Sequence, residues 1–348
     1  MARTTHRPRQ LRPLRGLAVV AALAALTACA TVGAPTPPSS DGSPTGSAGS
    51  SEGSSRAPDD LVPVVLGLTY VPDVQFAPFY TAVANGYYAD AGFDVTLRHH
   101  GVNEGLFTAL EAGEEDLVVA SGDEVLMSRA GGSNLQQVAT VYAQSPQALL
   151  APTGGRVSSL ESVAGATVGI PGEFGSTWLA LQILLSDAGL TLDDITVKSI
   201  GYTQVTALVT HQVDAVVGFS TSDAIRLADA GVEVTVFPVG NLVSIGIAAP
   251  QDTALTPEQL AAFRDATMQG AAAVTADPEA AVELAATYIP GMTSAAKKDA
   301  LAVITATTKL YGHDGLTDPA RWQSMARAMV DAGMIESIPE NGYVNPPE

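Results

Sequence analysis

The sequence predicts an α/β protein built as two similar lobes, each an open, mostly parallel sheet flanked by helices, with helices alone near the C-terminal end. Three observations carry this. From Val62 to Phe237, short β-rich apolar runs alternate with Ala/Leu-rich helical patterns. The stretch Asp116-Leu117-Val118-Val119-Ala120-Ser121-Gly122-Asp123 is echoed by Asp214-Ala215-Val216-Val217-Gly218-Phe219-Ser220-Thr221, each preceded and followed by a helical pattern. That spacing, about 98 residues, exceeds the period of roughly 20–50 residues of a solenoid repeat and fits two lobes instead. From Thr256 onward the pattern is helical throughout.

The N-terminal elements concern targeting. Met1–Arg15 is basic without an acid, Gly16–Thr27 is apolar, and Leu26-Thr27-Ala28-Cys29 follows, which predicts a cleaved signal peptide over residues 1–28. The apolar run is shorter than the roughly 20 helical residues a bilayer requires. The cleavage region resembles the bacterial lipobox, which implies that Cys29 is diacylated and anchors the mature chain without a spanning helix. Cys29 is the only cysteine, so disulfides within the chain and multi-cysteine zinc sites are excluded. Residues 29–60 then form a tether: 21 of the 30 residues from Thr31 to Asp60 are Gly, Pro, Ser or Thr, too little apolar bulk to offset the entropy of ordering. Gly49-Ser50-Ser51-Glu52-Gly53 matches the hydrolase elbow pattern formally, but no strand precedes it and no helix follows.

The globular body follows from Val62. Apolar β-rich runs predict strands at Val64–Thr69, Asp94–Arg98, Leu117–Ala120, Gln137–Tyr142, Thr167–Ile170, Thr196–Ile200, Ala215–Gly218 and Glu233–Phe237. Helical patterns fall between them at Phe79–Ala91, Glu104–Ala112, Glu124–Ala130, Thr177–Ala188, Thr203–Thr210 and Thr221–Ala230, then at Glu258–Ala276, Pro278–Tyr288, Ser294–Lys309 and Pro319–Ala332. With 46% apolar and 15% charged residues among 348, the chain can bury a sizeable core and is long enough for two units. Ligands of open α/β sheets lie outside the carboxyl ends of the strands, so two such lobes facing each other make a cleft lined by strand-to-helix turns. Five of the 17 Lys and Arg residues lie in the leader, leaving 12 against 36 acids, a balance that repels nucleic acid and anionic headgroups.

Tyr70-Val71-Pro72-Asp73-Val74-Gln75-Phe76-Ala77-Pro78-Phe79-Tyr80, Ala84-Asn85-Gly86-Tyr87-Tyr88, Ala91-Gly92-Phe93-Asp94-Val95, Gly165-Ala166-Thr167-Val168-Gly169-Ile170-Pro171-Gly172 and Val213-Asp214-Ala215-Val216-Val217-Gly218 carry a resemblance. The chain resembles solute-binding proteins of ABC transporters, in the branch that binds thiamine pyrimidine precursors, taurine and alkanesulfonates, and nitrate. The resemblance runs from about Val62 to about Val243 and implies a two-lobed periplasmic-binding fold of type II, lobe one being 61–151 plus 245–348 and lobe two 152–244. It implies a receptor on the outer face of the cytoplasmic membrane, closing over a small molecule and delivering it to a permease with a cytoplasmic ATPase. The wording is closest to the pyrimidine-precursor binders and their riboflavin-binding relatives. It departs from them at Asp73, commonly Asn, and at Tyr70, frequently Trp.

Candidate site residues lie at the strand ends. Seven of the 19 aromatic residues fall between Tyr70 and Phe93, and a flat heterocycle needs aromatic faces. Tyr70, Asp73, Gln75 and Phe76 follow the first strand, while Phe93 and Tyr88 read as core. Ser121 and Asp123 open a helix, where they can hold a polar group and also cap it. Glu173, Phe174, Gly175, Ser176, Thr177 and Trp178 form a glycine-bearing turn with unpaired helix donors and two rings. Tyr202, Gln204 and Phe219 occupy the equivalent position after later strands, and Asn241 and Ser244 fall at the return crossing.

Catalysis is not expected. His6, His99, His100, His211 and His313 form no chelating pair, so no metal is predicted, and no cofactor is either. The resemblance also reaches thiamine-pyrimidine synthases, which consume pyridoxal phosphate held on a first-lobe lysine, but here no lysine precedes Lys198. A sulfonate or nitrate binder on the same scaffold, or a surface sensory module, are the other readings. The anion reading calls for cleft arginines, and the candidate residues include none.

Overall fold

The computed structural model describes residues 61–101, 104–240 and 242–347. The predicted signal peptide, Cys29, the tether and Asn241 lie outside the described residues. Among the described residues ten strands form: β1 (Val62–Leu68), β2 (Phe93–His99), β3 (Leu117–Ser121), β4 (Leu135–Thr140), β5 (Gln147–Pro152), β6 (Thr167–Ile170), β7 (Thr196–Ser199), β8 (Ala215–Phe219), β9 (Val234–Pro238) and β10 (Ile245–Pro250). They make two five-stranded sheets, ordered β2-β1-β3-β10-β4 and β7-β6-β8-β5-β9. In each sheet one strand, β10 or β5, runs against its neighbours. The fold class is the expected α/β pair of open, mostly parallel sheets.

The internal echo is structural. β3 and β8 hold the same place in their sheets. Asp116 Oδ2 accepts the Val65 N–H at 2.8 Å, and Asp214 Oδ2 accepts the Thr167 N–H at 2.8 Å, so the two aspartates fasten equivalent strands in the same way.

The sequence expectation is corrected at four places. β5 and β10 were not foreseen. Because β5 belongs to the second sheet, the first passage between lobes runs over 141–146 rather than after residue 151. The predicted helix Phe79–Ala91 is two, α1 (Ala77–Ala84) and α2 (Tyr87–Asp90), broken where Gly86 takes a φ of +77°, a left-handed conformation that favours glycine. The predicted Glu104–Ala112 shrinks to α3 (Thr108–Glu111). The remaining helices are α4 (Gly122–Ala130), α5 (Gly175–Asp187), α6 (Gln204–Val209), α7 (Asp223–Asp229), α8 (Pro257–Ala276), α9 (Pro278–Tyr288), α10 (Ser294–Thr307) and α11 (Pro319–Asp331). Oxygen side chains start the last four: Thr256, Asp277, Thr293 and Asp318 each accept a first-turn N–H, with proline next in three of them.

Two cores result. One fills the first lobe between its sheet and α1, α8 and α9, where Gly270 lets α8 approach the Pro78 backbone closely. The other crosses the lobes: Val118, Ala120, Val125 and Leu126 of the first pack with Leu149, Ile170, Leu179 and Leu184 of the second, and Trp322, Met325 and Met329 of α11 complete it. α11 is therefore a wedge against both α4 and α5. A side chain at Gly122 would crowd Trp322 and Met325, whose atoms lie 2.9–3.0 Å from its Cβ position.

Candidate functional site

The chain passes between the sheets twice, over 141–146 and 239–244. Each passage joins the carboxyl end of a parallel strand, β4 or β9, to the start of a reversed strand, β5 or β10. The carboxyl ends of both sheets consequently face the seam between lobes. Each passage is tied to the start of the strand that follows the other: the Val141 and Tyr142 N–H groups donate to Ile245 O of β10 at 2.9 and 3.0 Å, and the Val239 N–H donates to Gln147 O of β5 at 3.3 Å.

Two helix starts meet across the seam. Ser176, in the first turn of α5, donates from Oγ to Asp123 Oδ2 of α4 at 2.7 Å, and Ser121 Oγ lies 3.5 Å from Ser176 Oγ. Asp123 is 2% exposed. The Ser121 N–H and hydroxyl both donate to Glu124 Oε2 at 2.8 Å, a capping box that the Ser-x-x-Glu spacing encodes. Neither carboxyl has an ion-pair partner among the described residues. Burial raises the Asp123 carboxyl above its ordinary range, opposed by the hydrogen bond that Ser176 donates. Burial, with the adjacent Asp123 charge adding, raises Glu124 to about 7.

A carboxyl raised on folding holds its proton more tightly folded than unfolded. Its contribution to stability is full below the unfolded value near 4.5 and is lost as pH rises through about 7. Glu124→Gln, which fixes the uncharged form, is expected to match the native protein at about pH 4 and exceed it by about 1–3 kcal/mol at pH 8. Urea unfolding of both proteins across that range checks this. Parallel curves would show that Glu124 does not titrate in the window.

The candidate rings divide by burial. Tyr70, Phe174 and Tyr202 are 47%, 60% and 82% exposed, and they are the only aromatic side chains among the large exposed apolar ones of the described residues. They stand on the loops after β1, β6 and β7, at the carboxyl ends of those strands. Phe174 is extended at φ −155°, its ring laid over Gly172, and Gly175 at φ +68° turns the chain into α5. Phe76, by contrast, is 3% exposed in the first core, packed with Phe79, Tyr80 and His99, and is not a wall of the seam. Trp178 is half-buried against the shared core, Gln204 is buried, and Phe219 is half-buried, its N–H donating to Asp223 Oδ2 at 2.9 Å. Glu173 is exposed and Thr177 half-buried. Asp73 accepts the Gln75 N–H at 3.0 Å.

Other groups at the seam were not foreseen. Tyr142, expected in a strand, lies in the first passage and donates to Gln75 O at 3.3 Å. Tyr311 sits edge-on to Tyr142 with ring centroids 5.2 Å apart, and Tyr288 of α9 stacks on Tyr80 at 4.1 Å. Only the fold brings these C-terminal rings to the first lobe. Ser145 and Gln147 are buried where β5 starts, and Ser244 where β10 starts. Two surface cavities, of about 430 and 290 Å³, one beside Trp322 and Tyr343 and one beside Gln136 and Gln251, are lined by none of the candidate residues.

Comparison with known proteins gives a consistent picture. Residues 73–281 match the family described as NMT1/THI5 like. The riboflavin-binding protein RibY of Chloroflexus aurantiacus is 34% identical over 263 residues, 74% of this chain and 74% of that protein. A 4-amino-5-hydroxymethyl-2-methylpyrimidine phosphate synthase of Legionella pneumophila is 24% identical over 229 residues, 64% of this chain and 72% of the relative. The periplasmic aliphatic sulphonate binding protein SsuA of Escherichia coli shares the fold, with a TM-score of 0.64 at 16% identity over 82% of this chain and 93% of its own.

Proposed function

The chain belongs to the NMT1/THI5-like family and has the scaffold of ABC-importer binding proteins, and from that premise we propose that it is an extracytoplasmic solute receptor for a flat heteroaromatic ligand of the flavin type. The observation that carries the reading is the trio of exposed rings, Tyr70, Phe174 and Tyr202, on seam loops of both lobes. Aromatic faces left open to water gain most by stacking on a planar ligand. The sequence placed a thiamine pyrimidine precursor first and riboflavin second; the 34% identity to a riboflavin-binding protein supports the reverse order.

Binding would work by population shift. A ligand touching rings of both lobes stabilises the arrangement in which they approach, and the paired passages at 141–146 and 239–244 form the hinge. The permease and ATPase of an importer would receive the solute, and lipid on Cys29 would hold the receptor at the membrane. An anionic ligand fits poorly. Asp123 and Glu124 lie at the seam, and Arg98, the arginine at the end of β2, is engaged by Glu104 at 2.7 Å and Glu115 at 2.8 Å. A binding role also suits the lysines: Lys198 faces Gln212 and Lys297 faces Glu283.

Thermal unfolding of the body from Asp59 onward, against riboflavin, hydroxymethyl- and formylaminopyrimidines, thiamine, taurine, alkanesulfonates and nitrate, tests the reading. Riboflavin at about 100 times its Kd is expected to add roughly 2.7 kcal/mol. A shift with pyrimidines alone would restore the thiamine-precursor assignment, and a shift with sulfonates or nitrate alone would leave the scaffold right and the site chemistry wrong. No shift across the panel would favour a sensory module.

A further inference from the structure

We infer that the floor of the seam recognises a cyclic imide edge, an N–H flanked by two carbonyls, with Asp123 accepting from the N–H and the Ser121 and Ser176 hydroxyls donating to the carbonyls beside it. The inference deepens the flavin reading and rests on it. Asp123 is 2% exposed, and a buried carboxylate needs donors. Its side-chain donor across the seam is Ser176, which belongs to the other lobe. When the lobes part, that donor leaves, and a ligand N–H can take its place.

The flanking groups complete the match. Ser121 Oγ and Ser176 Oγ lie 3.5 Å apart beside the carboxylate, one from each lobe, so the trio spans the seam. A hydroxyl rotates to donate where an acceptor arrives, and the Ser121 hydroxyl would turn from Glu124 Oε2, which keeps the Ser121 N–H as its donor. Ser176, displaced from Asp123 by the ligand N–H, is then free to donate to a carbonyl. A fourth group supports the match: Ser244 Oγ, 3% exposed, has no hydrogen-bond partner among the described residues, and it immediately precedes Ile245, which pairs with Ser121 in the sheet. Donor, acceptor and donor together complement the acceptor, donor and acceptor of an imide. The dione ring of an isoalloxazine carries that edge. An aminopyrimidine lacks it, and a sulfonate or nitrate would bring its charge against a carboxylate.

The test compares riboflavin with its N3-methyl derivative, which keeps the rings and loses the imide hydrogen, by titrating flavin fluorescence with the purified protein. Native protein is expected to bind riboflavin about 10- to 100-fold more tightly, the range of a hydrogen bond to a charged group. In Asp123→Ala the difference is expected to fall within about threefold, since the acceptor is gone. Asp123→Asn, which keeps the volume, takes its place if the alanine variant does not fold, with the same direction of change. Equal affinity of native protein for both flavins would overturn the inference and leave the flavin reading standing. A preference that persists undiminished in the variants would overturn the assignment to Asp123. No binding of riboflavin by native protein would remove the flavin reading, and this one with it.

Discussion

Trp322→Ala is expected to cost about 3–5 kcal/mol of stability, as large-to-small changes at fully packed aromatic positions do. The indole is 2% exposed, packs against Gly122 and Gly342, and lies 5.0 Å from the Tyr343 ring. Neither glycine position offers a side chain that could relax into the space. Because α11 belongs to the core shared by both lobes, the loss reaches first and second lobe together. Urea unfolding followed by far-ultraviolet circular dichroism measures it. A loss under about 1 kcal/mol would mean that the wedge collapses freely, and that the shared core does not hold the lobes.

Phe174→Ala combined with Tyr202→Ala is expected to weaken flavin binding about 10- to 100-fold while stability stays within about 0.5 kcal/mol of native. The two parts of that expectation have one cause. Rings 60% and 82% exposed fill no cavity, so their removal leaves none. Their contribution appears only when a ligand covers them. Tyr70→Ala should act in the same direction by a smaller factor, its ring being 47% exposed. Titration with riboflavin and thermal unfolding of each variant check both parts. Undiminished affinity would remove the rings from the site, and a marked loss of stability would mean that they are structural.

Much of this was legible in the sequence because strands with parallel neighbours advertise themselves. Leu117–Ala120 and Ala215–Gly218 are dense in Val and Ala between polar turns, and their echo gave the lobes and, through the strand-end rule, the seam loops. The reversed strands were hidden for a compositional reason. Gln147-Ala-Leu-Leu-Ala-Pro152 and Ile245-Gly-Ile-Ala-Ala-Pro250 are short apolar runs rich in Ala and closed by Pro, without the alternation or the β-branched density that marks a strand. The capping box of Ser121 and Glu124 was present as a spacing, yet its partner across the seam, Ser176, lies 53 residues from Asp123 and no local pattern joins them. Phe76 and Tyr70 show the limit in one loop. Composition placed both beside the ligand, and packing put one in the core and left the other open.

The position of β10 dictates an order of folding. The second sheet is a single continuous stretch from Gln147 to Pro238, so every strand it needs emerges together. The first sheet has a gap between β3 and β4 that only β10 fills, after the whole second lobe has been made. Until then β3 and β4 present unpaired edges, the surfaces most prone to association with other chains. Such distant pairing is slow, because the long loop must close before the contact is formed. The second lobe is thus the unit able to fold early, and the first lobe is the one that depends on protection while its last strand arrives.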